Sequence, residues 1–209
     1  APIAEALIAV SKALTVNSNE IRPSGELLDV GCGEGYYSAR LAEALGMHLT
    51  GMDISREAVR CAAGKYKNGL WLCATASHIP VADHSCDLLT SLFALTMPEE
   101  FKRVLRPEGY FFQVLAAEDH LLGLKSIIYD HLIEKPKDTV PDVPGFTLVK
   151  SVPIRFPFTV EGEQVENLLS MTPHVFRIGH DGAQRLRETK SLTDTASCVL
   201  NVFRPVGNL

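Results

Sequence analysis

The chain has 209 residues, of which 46% are hydrophobic and 22% charged, and its formal net charge is −5. This length and composition allow a hydrophobic core of its own, so we predict a single domain over residues 1–209. Basic and acidic residues are spread over both halves, which disfavours an extensive nucleic-acid surface but not a local basic patch.

Cysteine usage and hydropathy narrow the protein class further. The five cysteines form no C-x-x-C pair, which predicts neither a metal site nor a disulfide framework and favours a reducing cytoplasm. No apolar run is long enough to span a membrane, and residues 1–10 lack the features of a signal peptide. We therefore predict a cytoplasmic protein without a membrane partner.

The first half of the chain alternates apolar runs with helical patterns. These predict a helix over 4–16, a turn-rich connection over 17–25, and strands over 26–30, 47–52, 69–74, 87–93 and 110–116. Helices are predicted over 35–45, from Ser55 onward, and over 98–105, with a turn over 106–109. Strands that alternate with helices predict a parallel, doubly wound α/β sheet.

The second half is less regular. Helices are predicted over 119–130, 161–171 and 183–190, and a charged loop over 134–145. A strand over 146–160, interrupted by Pro153 and Pro157, and a final strand over 196–203 complete the chain. The complete prediction is a Rossmann-like fold with a seven-stranded, mostly parallel sheet and helices on both faces. Residues 117–190 would then supply most of the acceptor side.

A glycine-rich motif lies between the first strand and the first crossover helix. Gly31, Gly33 and Gly35 form a G-x-G-x-G pattern, and Asp53 ends the second strand. A carboxylate at that position can accept both ribose hydroxyls of an adenosine ligand. A dinucleotide fingerprint would have its third glycine at position 36, which is Tyr36 here. The pattern therefore predicts S-adenosyl-L-methionine, which has no pyrophosphate, as the cofactor.

Ligands of such a sheet bind beyond the carboxyl ends of its strands. The segment after the third strand would lie beside the adenine, although His78 is equally well read as a surface histidine. Cys32 is interpreted as a small residue packed under the ligand rather than a nucleophile. The predicted cofactor-binding residues are Asp29, Gly31, Cys32, Gly33, Gly35, Tyr36, Asp53, Ile54, Ala76, Ser77, His78 and Leu92.

Several segments together resemble the 23S ribosomal RNA guanine-N1 methyltransferases of the RlmA type. They are residues 31–37, 52–55, 76–78 with Pro80, 106–109 and 168–173. The resemblance covers nearly the whole chain and implies a class I methyltransferase fold and an enzyme that methylates guanine in ribosomal RNA. Members of that family also carry an N-terminal zinc-binding module, whose ligand pairs are absent from these 209 residues.

A guanine ring nitrogen carries a proton, so its methylation needs a base. Glu118 and His120 follow the fifth strand and are the predicted catalytic residues. The structural alternative is a helix start with Asp119 as N-cap. A base flipped out of the RNA could stack on an aromatic side chain. The candidates, which could equally be residues of the hydrophobic core, are Phe93, Phe156, Phe158 and Phe176. Residues 171–174 and 176–177 could complete that acceptor pocket.

Two other functions remain open at this stage. The acidic pI of about 5.8 favours a methyltransferase for a small molecule. A non-catalytic cofactor-binding domain is disfavoured by the intact glycines and Asp53. The predicted partner is therefore either ribosomal RNA or a small molecule.

Overall fold

The computed structural model of the chain describes residues 2–18, 24–132 and 136–207. Parts of the predicted connection over 17–25 and of the predicted loop over 134–145 lie outside these residues. The helices are α1 (Pro2–Ser18), α2 (Tyr36–Leu45), α3 (Arg56–Lys65), α4 (Pro98–Val104), α5 (Leu122–Ile128), α6 (Glu163–Ser170) and α7 (His180–Glu188), with a 3₁₀ helix at Pro173–Phe176. No helix in the described ranges is long and apolar enough to cross a membrane.

The strands are β1 (Glu26–Val30), β2 (His48–Asp53), β3 (Gly69–Cys73), β4 (Cys86–Leu92), β5 (Leu105–Ala116), β6 (Phe146–Glu161) and β7 (Ser191–Pro205). They form one seven-stranded sheet in the order β3-β2-β1-β4-β5-β7-β6. β1 to β5 pair in parallel, which confirms the predicted mostly parallel sheet. The strand order reverses between β1 and β4, and a sheet of this kind binds its ligand at such a switch point.

The turn predicted over 106–109 is instead part of β5. Cys86 of β4 pairs with Leu105, and the next pair joins Leu88 to Tyr110, so the residues between them bulge out of the ladder. Pro107 lies in this bulge, where its missing N–H breaks no ladder bond. β6 also runs without interruption through Pro153 and Pro157, because it is the last strand of the sheet and has an unpaired side.

The chain forms two compact units. The first comprises residues 1–115, 140–152 and 199–209, and the second comprises 116–139 and 153–198. The core of the first unit is centred on Phe111, whose ring centroid lies 5.1 Å from that of Phe101, 5.6 Å from Phe146 and 5.5 Å from Phe203. All four rings are buried, and aromatic clusters of this geometry contribute more than their buried area alone.

The second unit has its own core between α5, α6 and α7. A carboxylate from β7 caps α5: Asp194 accepts hydrogen bonds from Gly123 N at 3.1 Å and from Leu124 N at 2.7 Å. The predicted cap at Asp119 is wrong, because α5 begins after Leu121 and no side chain of its N-cap residue closes it. Asp119 forms an ion pair with Arg155 instead.

The single tryptophan packs against glycines of three elements of the first unit. Trp71 of β3 pairs in register with Gly51 of β2. A Cβ atom at Gly51 would lie 2.3 Å from the indole ring, and one at Gly35 would lie 2.4 Å from it. Trp71 Nε1 donates to the carbonyl of Tyr66 at 2.9 Å, which holds the ring in place. The indole therefore sets the spacing between β2, β3 and the glycine turn.

Gly51→Ala is expected to lower the free energy of unfolding by about 1–3 kcal/mol, because the new methyl group must displace the indole and break its hydrogen bond. Urea denaturation, monitored by the fluorescence of Trp71, measures the decrease in the free energy of unfolding. The emission of the folded variant also reports the changed environment of the indole. Gly64→Ala in α3 is the matched control, since nothing lies within 4 Å of its Cβ position. Equal stability of the two variants would contradict the role assigned to Trp71.

Candidate cofactor site

The glycine turn connects β1 to α2, as predicted. Gly31, Gly33 and Gly35 have φ values of 78°, 53° and 79°. This left-handed region is costly for residues with a Cβ atom, so the three glycines are needed for the backbone path itself. A Cβ at Gly31 would also lie 2.5 Å from the Cβ of Ala94, whereas nothing lies within 4 Å of the Cβ position of Gly33. The open space at Gly33 is where a ligand can approach the backbone.

The amides of this turn are used within the protein. Gly31 N and Cys32 N donate to the carbonyl of Met52 at 2.8 and 3.0 Å, and Gly35 N donates to the carbonyl of Cys32 at 3.0 Å. Gly33 N donates to Asp53 Oδ2 at 2.9 Å. A pyrophosphate would have to take these donors from their partners. Their engagement supports a cofactor that has no phosphate.

Asp53 ends β2 directly beside the turn. Its Oδ2 accepts from Gly33 N, and its Oδ1 accepts from Ser55 N at 2.8 Å. A carboxylate has about four acceptor positions, so each oxygen retains one for a ribose hydroxyl. The two backbone bonds fix the orientation of the half-buried carboxylate before any ligand binds.

Asp29 lies on β1 beneath the turn and is only 2% exposed. Its oxygens accept from Ser38 Oγ at 2.5 Å and from Thr90 Oγ1 at 2.6 Å. Burial raises the pKa of this carboxyl group, and the two hydroxyl donors oppose that effect. Asp29 thereby joins β1, α2 and β4, and its contribution to the cofactor site comes from holding these elements around the turn. A direct contact with the cofactor stays a prediction.

Cys32 is half-buried, and its Sγ donates to the carbonyl of Gly33 at 3.5 Å. Burial raises the pKa of this thiol, and the negative charges of Asp29 and Asp53 raise it further. The side chain is therefore a neutral thiol at physiological pH. That state suits a small packing residue and not a nucleophile.

The predicted adenine segment follows β3. Ser77 and His78 are exposed, and His78 N donates to the carbonyl of Thr75 at 3.2 Å. The next residue, Ile79, is held at both backbone groups by α4. Its N–H donates to Glu100 Oε2 at 2.7 Å, and its carbonyl accepts from Arg103 Nη2 at 2.8 Å.

Glu100 and Arg103 were not singled out from the sequence, although Glu and Arg three positions apart on a predicted helix are a recognisable pair. Their bonds to each other measure 2.8 Å, and Arg103 lowers the pKa of Glu100 to about 2. Both groups are therefore charged at physiological pH. The pair positions the loop that carries the adenine candidates.

The residues at the end of β4 pack against the glycine turn. Leu92 is buried, and Phe93 follows with a φ of 57°, a strained conformation for a residue with a side chain. The nearby Thr96 accepts at Oγ1 from Gln113 Nε2 at 2.8 Å, and Gln113 is itself buried. Strain of this kind clusters at ligand sites. Ile54 and Tyr36, also predicted contacts, are 79% and 40% exposed.

The predicted catalytic residues belong to the second unit. His120 Nδ1 lies 2.9 Å from the carbonyl oxygen and 3.2 Å from the backbone nitrogen of Ser197. Burial lowers the pKa of His120, so its imidazole is neutral at physiological pH. Glu118 accepts from Lys137 N at 3.1 Å and lines a cavity together with His174 and other residues. His120 is thus engaged with the backbone, whereas Glu118 faces open space.

Residues 28–113 match the family model of the methyltransferase domain. A Bacillus subtilis protein described as a candidate 23S rRNA (guanine-N(1)-)-methyltransferase is 28% identical over 176 residues, which are 79% of this chain and 61% of that protein. The 23S rRNA (guanine(748)-N(1))-methyltransferase of Streptomyces fradiae is 28% identical over 86% of this chain and 67% of its own length. The demethylmenaquinone methyltransferase of Chlorobaculum tepidum is 28% identical over 66% of this chain and 58% of its own length.

The solved structure of a candidate type II methyltransferase from Anaeromyxobacter dehalogenans has the same fold, with a TM-score of 0.62 at 20% identity over 96% of this chain and 97% of that one. The chain therefore has the fold of the class I methyltransferases. Its sequence resembles the 23S rRNA guanine-N1 methyltransferases, as its motifs predicted. It spans 61% of the length of the Bacillus subtilis relative.

Asp53→Ala is expected to raise the dissociation constant for S-adenosylmethionine about 10–100-fold, because each hydrogen bond to a charged acceptor contributes about 1.5–3 kcal/mol. Isothermal titration calorimetry measures the change. Asp142→Ala is the control, since Asp142 is an exposed carboxylate of the same unit. Unchanged affinity in a folded Asp53→Ala protein would refute the ribose assignment.

Proposed function

We propose that the protein is an S-adenosylmethionine-dependent methyltransferase that transfers a methyl group to a ring nitrogen of guanine in 23S ribosomal RNA. The observation that carries the cofactor assignment is the fixed carboxylate of Asp53 beside a glycine turn with open space at Gly33. The similarity to the ribosomal RNA methyltransferases of Bacillus subtilis and Streptomyces fradiae supports the acceptor. A ribosomal RNA substrate would also place the enzyme in the cytoplasm.

The residues present fit this cofactor. Asp53 would bind the ribose hydroxyls, and the segment over 76–78 would contact the adenine. The absence of a side chain at Gly33 would let the cofactor approach the backbone closely. When bound, the cofactor supplies a methyl group on a positively charged sulfur. The protein's task is then positioning, because alignment of donor and acceptor can supply roughly 7–11 kcal/mol of the barrier. Because the backbone amides of Gly33 and Ser55 already hold the Asp53 carboxylate, this side chain loses little conformational freedom when the ribose binds.

Removal of the guanine ring proton needs an acceptor group, and Glu118 and His120 stay predictions for that role. Of the two, Glu118 is the stronger candidate, because the Nδ1 atom of His120 is engaged with the backbone of Ser197. Glu118→Gln preserves the size and the bond to Lys137 while it removes the base. Normal turnover in this variant, with intact cofactor binding, would eliminate Glu118 as the proton acceptor.

A second candidate function is methylation of a small molecule. The similarity to the demethylmenaquinone methyltransferase of Chlorobaculum tepidum favours it, and so does the net charge of −5. The glycine turn and Asp53 would serve this reaction equally well. The two functions differ only in the acceptor and are separated by identifying the methylated product.

The protein is expected to methylate ribosomal RNA isolated from cells that lack the enzyme. A methyl group at N1 blocks Watson–Crick pairing, so primer extension on the treated RNA should stop at one guanine. RNA treated with Asp53→Ala serves as the control and should show a weaker stop or none. Transfer of labelled methyl to a metabolite extract without any stop on the RNA would establish the small-molecule function instead.

A further inference from the structure

The second unit contains a cavity of about 830 Å³ that the sequence did not predict as a whole. Its wall combines Lys125 and Tyr129 from α5 and its C-terminal end with Lys137, and with His174 and Arg177 from the 3₁₀ helix and its end. A volume of this size is in the range of small-molecule and cofactor sites. Two of the predicted acceptor contacts, His174 and Arg177, therefore lie in one wall with residues that the sequence analysis did not connect to them.

Three cations line this cavity. Among the described residues, Lys125, Lys137 and Arg177 take part in no ion pair. The wall also contains two acidic residues. Asp119 binds Arg155 at 3.1 Å, and Glu118 accepts from the backbone of Lys137 at 3.1 Å. The three cations therefore outnumber the one carboxylate of the wall that is not ion-paired, which leaves positive charge for a ligand.

The titratable groups of the wall also act on one another. Burial lowers the pKa of Lys125 and the charge of Lys137 lowers it further, whereas the negative charges of Asp194 and Asp119 partly oppose this shift. The pKa of His174 is lowered by burial first and then by the charges of Lys125, Lys137 and Arg177. A bound anion would relieve this repulsion.

Aromatic groups accompany the charges. Tyr129 and His174 are joined by a hydrogen bond of 2.8 Å between the phenol oxygen and Nδ1, with their rings edge to face at 5.5 Å. Phe176 is not part of the cavity wall, but it directly precedes Arg177, which is, and it is 90% exposed. Clustered cations beside an exposed aromatic ring are typical of sites for single-stranded nucleic acid, where the cations bind phosphate and a base stacks on the ring.

We propose that this cavity binds a backbone phosphate of the RNA acceptor through Lys125, Lys137 and Arg177, with Phe176 as the stacking surface for an adjacent base. The choice of RNA rests on the proposed function, whereas the anion site rests on the cavity alone. The sheet and the glycine turn play no part in the argument, so the site can be tested separately from the cofactor.

The test is equilibrium binding of a fluorescently labelled, single-stranded oligoribonucleotide to the full chain, measured by anisotropy at several salt concentrations. Lys125→Met and Arg177→Gln should each lower the affinity about tenfold, as expected for loss of one charged hydrogen bond. Each should also reduce the slope of log affinity against log salt by about 0.7. Phe176→Ala should weaken binding without changing the slope.

Arg187→Gln is the matched control, because Arg187 is an exposed arginine of α7 in the same unit. It should leave affinity and slope nearly unchanged, and thermal unfolding should show that all variants are folded. Equal effects of Arg177→Gln and Arg187→Gln, or a wild-type protein that binds no RNA, would overturn the proposal. Binding of inorganic phosphate without binding of RNA would overturn the assignment to RNA.

A methyl-transfer assay on the same proteins separates this inference from the proposed function. If the cavity variants lose RNA affinity but the wild-type protein methylates no RNA, the site stands and the function fails. If the wild-type protein methylates ribosomal RNA and the cavity variants bind and methylate it normally, the function stands and the site fails.

Discussion

The candidate cofactor site depends on the hydrogen bond that Gly33 donates to Asp53. This bond joins the turn after β1 to the end of β2, and the carbonyl of Met52 accepts from Gly31 and Cys32 of the same turn. Because these donors converge on the last two residues of one strand, the turn has a single position relative to the carboxylate. A ligand that binds there meets a site that is ordered in advance, which lowers the cost of binding.

The three glycines of the turn are required for different reasons beyond their shared left-handed backbone. A side chain at Gly31 would collide with Ala94, and one at Gly35 would collide with the indole of Trp71. A side chain at Gly33 would meet no protein atom within 4 Å, so only its left-handed backbone constrains this position. Packing therefore constrains the two outer positions, and the space at the middle one is available to the proposed cofactor.

The features that the sequence predicted correctly are those with a local pattern. The parallel strands, the β1–turn–α2 unit and the position of Asp53 at a strand end all follow from residues within one or two elements. Contacts between distant segments were missed. Asp194 caps α5 from a position 71 residues away, and Trp71 covers glycines of other elements. The bulge after Leu105 differs from the predicted turn over 106–109, because proline and glycine are frequent in both kinds of structure and do not distinguish them.

The proposed function depends first on the identity of the cofactor that binds beside the glycine turn. The most direct test is calorimetric titration of the unmodified protein with S-adenosylmethionine and, separately, with NAD. We expect binding of S-adenosylmethionine at one site per chain and no binding of NAD, because the amides of Gly31, Cys32, Gly33 and Gly35 are engaged within the protein and are not free to hold a pyrophosphate. Binding of NAD, or no binding of S-adenosylmethionine, would contradict the cofactor assignment.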